Sequence, residues 1–254
     1  MTNTVRSLRR ADRLVEWLVE SEMASVTTMA EELDMPLSTV YDYVRTLESL
    51  NYLTKLPDGR YRVSTRYLKI GNEVRHRYEV YTVAEPELTE LAADTGEYIA
   101  LMIEEGGLGV ILSMKEGEMA SHVKIHRTYA GTRTRLNTTA TGKAILARLP
   151  EERTRHIVDE YGLSSKTANT ITDPDELFEE LERIRNVGYA IDDEERFEGM
   201  RGIGVPVVSK PDETVGAIGL YGPAHRLTDT VLREDLPERI LEVANVVQVS
   251  LTYS

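Results

Sequence analysis

Apolar residues recur every three or four positions at the head of the chain. Val5, Leu8, Ala11, Val15 and Leu18 fall on one stripe and predict an opening helix. Thr27-Thr28 offers an N-cap ahead of a short helix over residues 29–33. Asp34-Met35-Pro36-Leu37 interrupts it, because proline cannot continue the helical hydrogen-bond ladder. Ser38 or Thr39 caps a third helix, in which Val40, Tyr43, Val44, Leu47 and Leu50 make a second apolar stripe. Residues 52–56, the turn Pro57-Asp58-Gly59 and residues 60–63 then read as strand, turn, strand. Helical spacing returns with Tyr67, Ile70, Val74 and Tyr81, a connecting helix over 66–82 that needs a partner surface. Pro86 marks a boundary near residue 84.

The remainder alternates α and β. Residues 86–94 are helical. Residues 98–104 and 108–115 are strand-like and joined by Gly106-Gly107, a hairpin signal, and 121–126 is a third strand candidate. Helical patterns cover 141–149, 151–161 and 173–187. Strands follow at 189–192, 203–208 and 215–221, the last two separated by Lys210-Pro211-Asp212-Glu213. Thr228 or Asp229 caps a final helix with Ile240, Ala244, Val247 and Leu251 on one face. Helices bracketing antiparallel strands predict an α+β sensor-type fold. The expected division is 1–65, a winged helix-turn-helix; 66–84, a linker helix; and 85–254, a ligand-sensing domain.

Composition narrows the function classes. The 254 residues contain no cysteine, which removes disulfides, iron–sulfur clusters and thiol catalysis. No apolar run is long enough for a membrane span, and the N-terminus has no signal-peptide stretch, so a cytoplasmic location is expected. The net charge of −13 is unevenly spread. Residues 1–75 hold 11 Lys/Arg against 11 Asp/Glu, whereas 76–254 hold 19 against 32. A neutral head on an acidic body fits a first domain that meets a polyanion. The acid-rich, lysine-poor remainder also resembles the solvated surface of a halophile, pointing to a halophilic archaeal source.

Helix, helix, turn, helix, hairpin is the order of a winged helix-turn-helix. Its most basic stretch is the hairpin region, with Lys55, Arg60, Arg62, Arg66 and Lys69 against Asp58 alone. The same elements also suit any compact module with solvated cations, but order, break position and charge localisation agree on double-stranded DNA. Ser38, Thr39, Tyr41 and Arg45 are expected in the major groove, where Arg reads guanine bidentately. Asp42 repels phosphate or accepts from a cytosine amino group. Arg60, Arg62 and Thr28 are cast as phosphate contacts, with Arg9 and Arg10 as further candidates. Specific affinity from so small a module calls for a symmetric pair, so a homodimer is expected.

Residues in both halves resemble the IclR family of transcription regulators, over nearly the whole chain. Ser38-Thr39-Val40-Tyr41, Thr46-Leu47, Tyr52-Leu53 and Gly59–Val63 are similar to its winged helix and wing, and Leu68-Lys69-Ile70-Gly71 to the start of its linker. Thr141-Gly142-Lys143-Ala144-Ile145-Leu146-Ala147 resembles a widespread family segment. Gly188, Asp192 and Glu195, followed by Gly202-Ile203-Gly204-Val205-Pro206-Val207, keep the spacing of its C-terminal signature. Gly202 stands where the family often has Cys, Ser or Ala, and the last strand carries Gly219-Leu220-Tyr221 where serine is frequent.

The resemblance implies a GAF/PAS-like α+β domain and an effector pocket among Ala140, Thr141, Gly142, Asp192, Met200, Gly202, Gly219 and Tyr221. The helix start at 140–142 would offer backbone N–H groups and positive dipole to a carboxylate. Asp192 either orients an effector hydroxyl or caps a turn; Glu195 is read as structural. The expected function is a one-component regulator whose promoter binding is controlled by an organic or sugar acid, with no cofactor and no catalytic residues. The alternatives are a metabolite-binding enzyme and a ligand-independent dimerisation module, each with a DNA-binding domain attached. His122 and His126 alternate along a strand pattern and are read as solvated, not as metal ligands. Ser121-His122-Val123-Lys124 has the spacing of a serine acylase without the companion motifs. Glu-rich 193–198 is read as solvated surface.

Overall fold

A computed structural model describes residues 4–120, 128–210 and 213–253. The chain divides into two compact units, Met1–Val74 and Arg75–Ser254.

In the first unit, α1 (Arg6–Ser21), α2 (Val26–Glu32) and α3 (Leu37–Ser49) pack around Leu14, Leu18, Met29, Val40 and Val44, all fully buried. The apolar stripes meet here because each presents branched or thioether side chains at helical spacing. β1 (Leu53–Lys55) and β2 (Tyr61–Val63) pair antiparallel, Thr54 opposite Arg62, and Gly59 takes φ +86° in their turn. A bridge from Ala24 to Tyr61 ties this wing to the α1–α2 turn.

Two caps differ from expectation. Ser25, not Thr27 or Thr28, caps α2, its Oγ accepting from Thr28 N at 3.1 Å. α3 starts at Leu37 with Pro36 at the cap and no side-chain cap bond, so Ser38 and Thr39 lie in the first turn. Proline serves there because its fixed φ suits the entry and the missing N–H is outside the ladder.

The connecting stretch is two helices. α4 (Arg66–Arg75) stops, and α5 (Glu79–Thr95) begins after a turn at 76–77, with Tyr78 at the cap. Pro86 is not a boundary but lies inside α5. Its missing N–H costs one ladder bond, and the helix is held by Val80, Tyr81, Ala84, Leu88, Leu91 and Ala92, all buried.

The second unit is a six-stranded antiparallel sheet in the order β5-β4-β3-β8-β7-β6. The strands are β3 (Tyr98–Glu105), β4 (Leu108–Glu116), β5 (Arg133–Thr134), β6 (Ala190–Asp193), β7 (Met200–Lys210) and β8 (Glu213–Pro223). Residues 121–126, read as a strand from the sequence and carrying both histidines and the Ser121–Lys124 motif, lie outside the described residues. β5, only two residues long, had no sequence signal.

Side-chain alternation splits the sheet between two cores. Ile99, Leu101 and Ile103 face α5 and α9 (Leu236–Tyr253), while Met102, Ile111 and Ala217 face α6 (Ala140–Arg148), α7 (Glu151–Tyr161) and α8 (Pro174–Val187). α8 matches the helical pattern over 173–187: Asp173 caps it, accepting from the N–H groups of Asp175 and Glu176, and Gly188 ends it at φ +88°. Of the two caps expected for the final helical stretch, Thr228 serves, its Oγ1 accepting from Val231 N at 3.5 Å, and Asp229 does not. A π-helical turn, Val231–Asp235, precedes α9, and Asp229 instead accepts from Arg201 at 2.5 Å. No helix among the described residues is long and apolar enough to cross a membrane.

Candidate effector site and DNA-binding surface

On the first unit, Ser38, Tyr41, Asp42 and Arg45 are exposed along α3, and Thr39 is half-buried. Arg45 Nη1 donates to Tyr41 Oη at 3.3 Å, one turn away, which holds both tips on the same face. Thr28 is exposed at the start of α2. The wing departs from expectation in one respect. The Arg60 side chain is already engaged, its Nε donating to Asp58 Oδ2 at 2.7 Å while its backbone N–H bonds Oδ1 at 3.0 Å. Arg60 beside it holds the Asp58 carboxyl below the usual range. Arg62, exposed on the neighbouring strand, has no ion-pair partner among the described residues.

In the second unit a small cavity of about 40 Å³ lies between the sheet and the N-terminus of α6. Ala100, Met102, Ile111, Met114, Phe197 and Met200 give it an apolar wall; Thr128, Thr139, Thr141, Asp192, Arg196 and Tyr221 supply its polar atoms. Four of the expected effector residues, Thr141, Asp192, Met200 and Tyr221, therefore meet there. The other four shape it from behind. A Cβ on Gly202 would lie 2.3 Å from the Tyr221 ring, and one on Gly219 2.8 Å from it, so these two departures from the family pattern make room for that ring. Gly142 is pressed against the Leu136 backbone, and Ala140 against Gly204.

The expected carboxylate cradle at the start of α6 is partly engaged by the chain itself. Thr141 N donates to Tyr221 Oη at 3.1 Å, Gly142 N to Thr139 Oγ1 at 2.9 Å and Lys143 N to Thr139 O at 2.9 Å. Two of the three N–H groups expected to face an effector's acid group, those of Thr141 and Gly142, thus have partners within the chain.

Asp192 caps a turn, the second of its two expected roles, its Oδ1 accepting from Glu195 N at 2.8 Å, and it also lies on the cavity wall. Burial, then the charge of Glu195, pushes its carboxyl up to about 7. Burial and the nearby Asp192 push Tyr221 up to about 12. Glu195 is not solvated surface: it is buried and takes a hydrogen bond from the fully buried Lys143, with Glu180 at 3.8 Å from the same ammonium. Burial raises Glu195 despite Lys143.

Arg196 is the charged cavity residue the sequence reading missed. It lies within Asp192-Asp193-Glu194-Glu195-Arg196-Phe197-Glu198, where the carboxylates suggested a solvated run. Its guanidinium donates to Thr134 Oγ1 and lies 5.0 Å from the Phe197 ring, with burial lowering its pKa. The available signal was one cation set among five acids. Among the described residues no cluster of three His, Asp or Glu groups suits a metal.

Residues 72–249 match the family described as "Bacterial transcriptional regulator IclR C-terminal", and residues 7–57 the "IclR helix-turn-helix domain". The chain belongs to the IclR family of transcriptional regulators. A Halobacterium salinarum relative, "Probable HTH-type transcriptional regulator ArcR", is 29% identical, covering 97% of this chain and 94% of its own. The crystal structure of Thermotoga maritima IclR superposes with a TM-score of 0.84 at 30% identity, covering 97% of this chain and 99% of that one. An IclR homolog from Microbacterium hydrocarbonoxydans, complexed with 4-hydroxybenzoate, has the same fold, with a TM-score of 0.80 at 20% identity and coverage of 98% and 100%. As an IclR-family member, the chain pairs a DNA-binding helix-turn-helix with an α+β C-terminal domain.

Proposed function

We infer that this regulator binds a small organic acid in the cavity of its second unit and changes its promoter affinity in response. The observation that carries this reading is Arg196, a largely buried guanidinium on the cavity wall that bonds Thr134, makes no salt bridge among the described residues and has Asp192 as the carboxylate sharing that wall. A buried cation whose neighbouring carboxylate is itself pushed towards the neutral form is costly, and an effector carboxylate relieves that cost. The effector's body packs among Met102, Met114, Met200 and Phe197, and Asp192 takes a hydroxyl. Thioether side chains repack readily around a ligand larger than the resting cavity. An aromatic hydroxy acid, the kind held by the Microbacterium relative, fits this chemistry better than a sugar acid, whose several hydroxyls have few free partners here.

On DNA, α3 enters the major groove with Ser38, Thr39, Tyr41 and Arg45, and Arg62, Arg60 and Thr28 contact phosphates. The active species is a homodimer or homotetramer inside the cell. The acidic surface and the Halobacterium relative support a halophilic archaeal setting. The effector must bind one DNA-affinity state better than the other, since equal affinity shifts nothing.

The test is a panel of aromatic and aliphatic acids in thermal shift, followed by operator binding with and without each hit. A ligand that stabilises the wild type but not Arg196→Gln, and alters operator affinity, supports the reading. Stabilisation indifferent to Arg196 counts against it, and turnover of a hit would favour the enzyme alternative.

A further inference from the structure

Next to the effector cavity, and sharing Arg196 and Phe197 with it, lies an open cleft of about 520 Å³. Its charged lining consists of Arg133, Arg135, Lys166 and Arg196, with the hydroxyl residues Thr134 and Ser164 between them, and no carboxylate lines it among the described residues. That is unexpected in a chain with 43 acids against 30 bases. Elsewhere in the same unit the excess of carboxylates captures Lys115, Lys143, Arg153, Arg201 and Arg226 in ion pairs. Of the cleft's cations, Arg133 alone has an ion-pair partner among the described residues, Glu105. Arg135 stacks on Tyr161 with its guanidinium 5.1 Å from the ring centre, a contact that leaves its N–H fork unneutralised. Lys166 is exposed and has no ion-pair partner among the described residues.

The walls are fixed rather than floppy. Asn137 Nδ2 donates to the carbonyls of Ser164 and Ile171, pinning both ends of the 164–171 loop. Inside it, the N–H groups of Lys166 and Thr167 both bond Thr170 Oγ1 at 3.0 Å. Thr170 in turn donates to Glu195 O, and Thr167 to Glu194 O, which couples the loop to the segment that carries Arg196. A fork, an ammonium and a second fork held around one opening, with hydroxyl donors between, recognise a dianionic oxygen head.

We propose that this cleft is an anion subsite that takes a phosphate or second carboxylate group, so that the effector carries two negative charges on an apolar body. This rests on the cavity reading above and extends it. The body occupies the methionine-lined cavity, one anionic oxygen lies on Arg196 at the junction, and the remaining charge extends to Arg135 and Lys166.

Four probes on the full chain test it at fixed ionic strength and chloride, by calorimetric titration: benzoate, phthalate, phenyl phosphate and inorganic phosphate. At least one of phthalate and phenyl phosphate is expected to bind tenfold or more tightly than benzoate, and whichever gains more identifies the head as dicarboxylate or phosphate. Arg135→Gln/Lys166→Gln should abolish that advantage. Lys166→Gln, a surface change that spares folding, should cut it at least threefold, and Arg148→Gln, exposed outside the cleft, should leave it intact. Benzoate equal to both dianions, or an advantage that survives in the Lys166→Gln protein, overturns the subsite while leaving the cavity reading standing. Phosphate binding that needs Lys166 without any benzoate binding keeps the subsite and removes the cavity reading. Binding of none of the four removes both.

Discussion

The substitution Asp192→Asn should make the protein more stable, and increasingly so as pH rises. Asp192 is fully buried, and its carboxyl is pushed up to about 7 from 3.8. Between those values the unfolded chain has lost this proton and the folded chain retains it. Stability therefore falls as pH rises through the window, and the penalty from this one group reaches its full size above pH 7. A gap of about three pH units, at about 1.36 kcal/mol each, amounts to about 4 kcal/mol. The asparagine amide stays neutral and keeps an oxygen to accept from Glu195 N. The variant's advantage should grow by about 1.4 kcal/mol per pH unit between pH 4 and 7, then level off. Urea unfolding of both proteins from pH 4.5 to 8.5, compared as a difference, cancels the many other carboxylates. Parallel curves, or a variant less stable than wild type at pH 8, would refute the reasoning. The second result would mean that Asp192 is ionised in the fold and held by Arg196 or Lys143.

Three further outcomes follow from the same geometry. Arg62→Ala should weaken binding to all DNA sequences and lower the salt slope by about 1; Arg60→Ala should do less, because Asp58 already holds that side chain, and Asp58→Asn should raise non-specific affinity, all read by binding across a salt series. Lys143→Met leaves Glu195 buried without its partner and should cost about 3–5 kcal/mol in chemical denaturation, part of it recovered by adding Glu195→Gln. Gly202→Ala drives a methyl into the Tyr221 ring and should cost about 1–3 kcal/mol, with near-ultraviolet dichroism reporting the displaced tyrosine.

Helices and strands were legible wherever one face is apolar and the ends carry local signals. The helical pattern over 173–187 matches α8, and Gly106-Gly107 announced the β3–β4 hairpin. The misreadings share a cause: tertiary packing outranked a local rule. Pro86 signals a break, yet six buried side chains hold α5 through it. Thr141 looked like an open anion cradle, but the group that closes it, Tyr221, is 80 residues away in sequence. Periodicity could not show that meeting, nor that Arg196 turns inward from an acidic run, because both depend on which strands the sheet makes neighbours. The cation-lined cleft was invisible for the same reason: Arg133, Arg135, Lys166 and Arg196 come from β5 and from loops with no shared pattern.

The seam between α6 and the sheet restricts how ligand preference can evolve. A Cβ at Gly204 would lie 2.6 Å from the carbonyl carbon of Ala140 and from Thr141 N, so helix and strand touch backbone to backbone. That contact offers no slack for sliding, and the helix start behaves as a fixed floor. New specificities must then be acquired on the opposite side, by exchanging thioethers such as Met102, Met114 and Met200 for longer, shorter or polar side chains. A lineage drifting towards a different metabolite should record its history in those few positions while the glycine stays put.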